Sequence, residues 1–129
     1  MRFLVDSDWL IDATGGKPAA SNFLAQLSAD GLAVSIIAVA EIYEGAFSVA
    51  HSEALLAAYR DFLSDYTILP LTDDTVARFA RLRAALRRQG WLIPDMDILI
   101  AATALEADLT LVTRNFRHFE RIAGLKLYR

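Results

Sequence analysis

The chain has 129 residues, 55% of them hydrophobic, with no cysteine, two histidines and a net charge of −3. That length and apolar content fit one domain with a real core. They leave no apolar run of the roughly 18 residues a membrane span needs, no disulfide or thiolate chemistry, and no global basic field for nucleic acid. The absence of cysteine and of a signal-peptide pattern at Met1–Asp8 suits a cytoplasmic protein.

Phe3-Leu4-Val5 reads as a short buried strand, closed by Asp6. Ser7 is placed to cap a helix over Asp8–Ala13, which Gly15-Gly16 ends. A second helix starts at Pro18 and carries Phe23, Leu24 and Leu27 at helical spacing. After a turn at Asp30-Gly31, Leu32–Ile37 reads as strand two and Ala38–Phe47 as a helix containing Glu41. A helix over Ser52–Leu63 and a strand over Tyr66–Leu71 follow. Thr72-Asp73-Asp74 opens a long helix that ends near Gly90, with acids in its first turn and Arg87 and Arg88 in its last, the signs the helix dipole favours. Trp91–Pro94 is a loop, Asp95–Glu106 an almost wholly apolar helix, and Leu109–Val112 a fourth strand. A short helix over Phe116–Ile122, a turn at Gly124 and a terminal strand over Leu125–Tyr128 complete the chain.

Strands alternating with helices predict an α/β fold with a parallel sheet covered on both faces. Sites in such sheets form beyond the carboxyl ends of strands, at the topological switch point. Asp6 ends strand one, Glu41 lies about a helical turn past strand two, and Asp97 opens the helix leading to strand four. Each acid has an ordinary reading: Asp6 as a helix cap, Asp97 as a first-turn acid. Glu41, inside an apolar helix, is harder to explain that way, because Glu is almost never buried without a partner. Three acids at three apolar element ends read together as a divalent-metal site. Clustered carboxylates persist mainly around a cation, and oxygen ligands without His or Cys select Mg²⁺ or Mn²⁺. Such a site suits phosphoryl transfer to water.

The neighbouring polar residues divide. Asp95 is expected to cap its helix or to support the metal acids. Ser7 is a cap, a contact for metal-bound water, or both. Asp8 and Asp12 read as surface, and His118 as structural. Eleven of the 13 basic residues are Arg, five of them between Arg78 and Arg88. Arg78 and Arg81, with Arg114 near the end, are candidate phosphate contacts, though a solvated helix face explains any single Arg as well.

Val5-Asp6-Ser7, Glu41-Ile42-Tyr43-Glu44-Gly45, Asp97-Ile98-Leu99-Ile100-Ala101-Ala102 and Val112-Thr113-Arg114-Asn115 with Phe119 resemble the PIN-domain signature. In combination they most resemble VapC-type toxins of bacterial toxin–antitoxin pairs, over essentially the whole chain. The resemblance implies a single PIN domain over residues 1–129. Its fold would be a three-layer α/β/α sandwich around a mostly parallel five-stranded sheet. It implies a Mg²⁺- or Mn²⁺-dependent endoribonuclease with Asp6, Glu41 and Asp97 as the metal-binding catalytic acids. It further implies a cognate antitoxin that lays a basic side chain along the acidic groove, and a homodimer. Thr113 would support the site by hydrogen bonding. The family often has Asp at the fourth position, where this chain has Asn115, which brings no charge to a second metal. Two rival readings remain: a housekeeping RNA-processing nuclease, and a PIN-like module that binds nucleic acid or protein without cutting. A response-regulator-like domain also gathers acids around Mg²⁺, but it needs paired acids after strand one and a Lys after the last strand; here Lys126 falls within that strand.

Overall fold

The computed structural model describes residues 1–129. Phe3–Val5 forms β1, followed by helices α1 (Ser7–Thr14) and α2 (Pro18–Leu27) and a 3₁₀ turn over Ser28–Asp30. Strand β2 (Leu32–Ser35) leads into α3 (Ile36–Phe47) and α4 (Ser52–Leu63). Strand β3 (Thr67–Leu69), α5 (Asp73–Gln89), α6 (Asp95–Glu106), β4 (Thr110–Val112) and the short α7 (Phe116–Phe119) complete the order.

The sheet is parallel throughout, in the order β3-β2-β1-β4. Phe3 pairs with Leu32 on one side and with Thr110 on the other. Every residue of β1 and β2 is buried, as the unbroken apolar runs of a sheet covered on both faces require. The chain grows outward from β1 through β2 to β3, then crosses back to lay β4 on β1's free edge. The carboxyl end of β1 is therefore the switch point, and Asp6 occupies it.

Helix boundaries follow local chemistry. Thr72 caps α5 by accepting from Thr75 N at 3.2 Å, and Gly90 ends it at φ +71°, a left-handed conformation that costs glycine little. Strand β2 stops two residues before the predicted end, because Ser35 Oγ accepts from Ile37 N at 3.1 Å and starts α3 at Ile36. The first helix is capped by Asp6, not by Ser7: Asp6 Oδ1 accepts from Ser7 N at 2.8 Å, which makes Ser7 the first helical residue.

The predicted terminal strand is reduced to a single bridge. Leu127 lies parallel to Leu111; Leu111 N donates to Lys126 O at 2.8 Å, and Tyr128 N donates to Leu111 O at 2.9 Å. Those two bonds span one pleat, so the sheet has four strands where the resemblance implied five. Helix α6 is buried over most of its circumference, with Ile98, Ile100, Ala101, Ala102 and Ala104 nearly inaccessible. It packs against α5 and fixes the height at which Asp97 meets the strand ends. No helix is long and apolar enough to cross a membrane.

Candidate active site

Asp6 is the most enclosed of the three acids, at 6% exposure. Its Oδ1 is spent on the α1 cap, and its Oδ2 accepts from Thr113 Oγ1 at 2.7 Å. Thr113 is itself buried just past β4, and its hydroxyl also accepts from Asn115 N at 3.0 Å. The first residues beyond two neighbouring strands are thus locked together by a side-chain bond 107 positions apart in sequence.

Burial, then Asp8 and to a smaller degree Asp97, push the Asp6 carboxyl up from 3.8 to about 6, against the opposing bonds from Thr113 and Ser7. Glu41, on α3, is half-buried, and Ser7 Oγ donates to its Oε1 at 3.4 Å. Its carboxyl is pushed up from 4.5 to about 7, by burial first, then by Asp6 and by Asp97. Asp6, Glu41 and Asp97 therefore share one field although they come from three separate elements. Such mutual repulsion is unfavourable without a cation.

Asp97 stands in the first turn of α6, whose N-terminus has no side-chain cap. Its side chain is 14% exposed, and its Oδ2 lies 2.7 Å from His118 Nδ1. Asn115 Nδ2 is 2.9 Å from the same ring nitrogen. No three of the His, Asp and Glu side chains converge closely enough, as they stand, to share one ion. The donor set nevertheless fits a hard divalent cation in kind: three carboxylates, two of which resist ionising beside one another.

Other expected contributors lie elsewhere. Asp95 neither caps α6 nor reaches the acids; its side chain is 58% exposed and receives Arg83 Nε at 2.7 Å. Arg78 is paired with Glu106 at 2.7 Å. Arg114 donates to Asp12 at 2.6 Å and lies 3.8 Å over the Trp9 ring, so its charge is already matched. Arg81 is exposed and makes no ion pair.

Two residues that sequence reasoning set aside come into the site. Asp8, read as surface, accepts from Arg114 N at 2.9 Å and is the second cause of the Asp6 shift. Its spacing two residues after Asp6 was the available signal. His118, read as structural, touches Asp97; nothing in its own segment announces that. A cavity of about 540 Å³ opens between α2 and α4, lined by Leu24, Phe62 and Tyr66, and the acids do not border it.

The PIN-domain family model matches residues 3–125. Ribonuclease VapC2 of Haemophilus influenzae is 36% identical over 126 residues, covering 98% of this chain and 96% of that protein. The tRNA(fMet)-specific endonuclease VapC of Shigella flexneri is 29% identical over the same shares of both. Among solved structures, a chain of VapBC2 from Rickettsia felis, bound to a DNA fragment from their promoter, superposes with a TM-score of 0.91. Its identity is 28%, over 99% of this chain and 98% of that one. This protein belongs to the PIN-domain family, in its VapC ribonuclease branch.

Proposed function

We propose that this chain is a divalent-metal-dependent endoribonuclease and the toxin half of a cytoplasmic toxin–antitoxin pair. The observation that carries the reading is the placement of Asp6, Glu41 and Asp97, from three separate elements, close enough at the switch point of the sheet to disfavour one another's ionisation. Acids in that condition gain most from a cation. Asp6, Glu41 and Asp97 would hold Mg²⁺ or Mn²⁺. When bound, such an ion draws charge from a phosphodiester and lowers the pKa of a coordinated water.

The chain's own residues do the rest. Thr113 holds Asp6 by its Oδ2, Ser7 steadies Glu41, and the caps of α1 and α3 fix the backbone under both. Asn115 is neutral, so the site carries less charge than one with a fourth acid and suits one tightly held ion better than two. Arg81, exposed and unpaired on α5, is the best remaining candidate for a phosphate contact; Arg78 and Arg114 would first have to leave their carboxylates.

The names of the relatives support RNA as the substrate class, and the VapBC complexes support a VapB-like antitoxin as partner. An antitoxin cation reaching the acids would replace the metal's charge. A homodimer sets two such sites in one assembly. The test is to incubate purified, antitoxin-free protein with total RNA, with Mn²⁺ or Mg²⁺ and with chelator. Discrete metal-dependent fragments support the proposal. No cleavage by folded, metal-loaded protein, together with harmless expression, sinks it. The non-cleaving alternative predicts metal affinity that survives loss of Glu41 and Asp97.

A further inference from the structure

We infer that His118 is a positioning residue for Asp97, holding one carboxylate oxygen so that the other faces the site. The inference rests on the reading of Asp97 as a metal ligand. It arises from a hydrogen-bond chain that runs from one acid to another. Thr113 Oγ1 donates to Asp6 Oδ2 at 2.7 Å and accepts from Asn115 N at 3.0 Å. The Asn115 side chain meets His118 Nδ1 at 2.9 Å, and that nitrogen meets Asp97 Oδ2 at 2.7 Å. The segment 113–118 thereby ties the carboxyl end of β1 to the start of α6.

The direction of the last bond follows from valence. An ionised carboxylate only accepts, so a 2.7 Å contact requires a proton on Nδ1, whatever Nε2 carries. A protonated Nδ1 cannot accept from the Asn115 amide nitrogen. A half-turn of that amide presents its oxygen instead, and one N–H is then shared between Asp97 and Asn115. Asn115 thus acts on Asp97 through the ring, a role that needs no charge.

The ring is placed from behind by packing. Phe119, next in the chain, is wholly buried and anchors α7. His118 remains 33% exposed beside an Asp97 that is 14% exposed, so the pair sits at the mouth of the site and not in the core. Carboxylate–imidazole contacts of this kind orient metal ligands in other proteins, and their loss typically costs about 10–100-fold in metal affinity.

The experiment has a metal-free and a metal-bound arm. With only two histidines in the chain, His51→Gln leaves the ¹⁵N imidazole spectrum of His118 alone. It should show a protonated Nδ1 whose signal changes in Asp97→Ala; a bare Nδ1 overturns the inference. In the second arm, Mn²⁺ affinity of the full chain is measured by calorimetry. His118→Ala and His118→Phe should each bind about 10–100-fold more weakly. His118→Asn, which restores an N–H donor near the Nδ1 position, should recover most of the loss. Wild-type affinity in the Ala and Phe variants overturns this inference alone. A wild-type chain that binds no Mn²⁺ overturns it together with the metal reading.

Discussion

Asp6→Asn should make the metal-free protein more stable while destroying its metal site. In the folded chain the Asp6 carboxyl is raised from 3.8 to about 6, chiefly by burial and next by Asp8. Each pH unit is worth 1.36 kcal/mol, so holding Asp6 ionised in the fold costs about 3 kcal/mol relative to the unfolded chain. Asparagine removes that charge but keeps the geometry. Its amide oxygen can still accept from Ser7 N, and the Thr113 hydroxyl can turn to accept where it now donates. The folded-state pKa is raised, so the wild type's deficit is absent below about pH 3.8 and complete above about pH 6. The variant's advantage should therefore be about 3 kcal/mol at pH 8 and about half that at pH 5, vanishing near pH 3. Urea unfolding in chelator at these three pH values measures it. A variant less stable than wild type at pH 8, or a gain that does not change with pH, refutes the reasoning.

Other consequences follow from the same geometry. Because Asp6 and Glu41 must lose protons to bind a cation, Mn²⁺ affinity should fall below pH 7 by about tenfold per pH unit for each proton displaced. Calorimetry in buffers of different ionisation enthalpy should record the released protons. Thr113→Val removes a bond to a charged group worth about 1.5–3 kcal/mol, so it should raise Asp6 a further one to two units, roughly, visible in its carboxyl ¹³C titration. An unmoved titration would show that the hydroxyl does not favour the ionised form. Phe119→Ala should cost about 3–5 kcal/mol in urea unfolding, since the ring is fully buried; a loss below about 1 kcal/mol would contradict its role as the anchor of α7.

How much of this was legible in the sequence depends on the range of the interaction. Helices bounded by local breaks in the sequence pattern could be read closely: α4 and α6 begin and end at the expected Ser52, Leu63, Asp95 and Glu106, although neither carries a side-chain cap. The central strands were legible because a fully buried strand is an unbroken apolar run. The edges were not. Leu125–Tyr128 carries a strand-like pattern, but its pairing depends on where Gly124, at φ +82°, delivers it against Leu111. The three acids stood out because charge at the end of an apolar element needs a reason that sequence alone can pose.

Their partners did not stand out. Asp8, with Asp12 on one helix, read as surface, and only the folded β4–α7 loop brings Arg114 N and Thr113 to it. His118 lies 21 residues from Asp97, and the short helix expected over Phe116–Ile122, which ends at Phe119, gives no sign of which element its ring will face. Asp95 misled because a helix-opening acid next to Asp97 reads as part of the same site. The helix turns it outward to Arg83 instead.

The central claim is that Asp6, Glu41 and Asp97 together hold a divalent cation. Crystals of the antitoxin-free chain soaked in Mn²⁺ test it directly through anomalous scattering. The account predicts one strong peak within bonding distance of all three carboxylates, lost in Asp97→Asn. Manganese bound elsewhere on the chain, or an empty switch point at saturating metal, would contradict it.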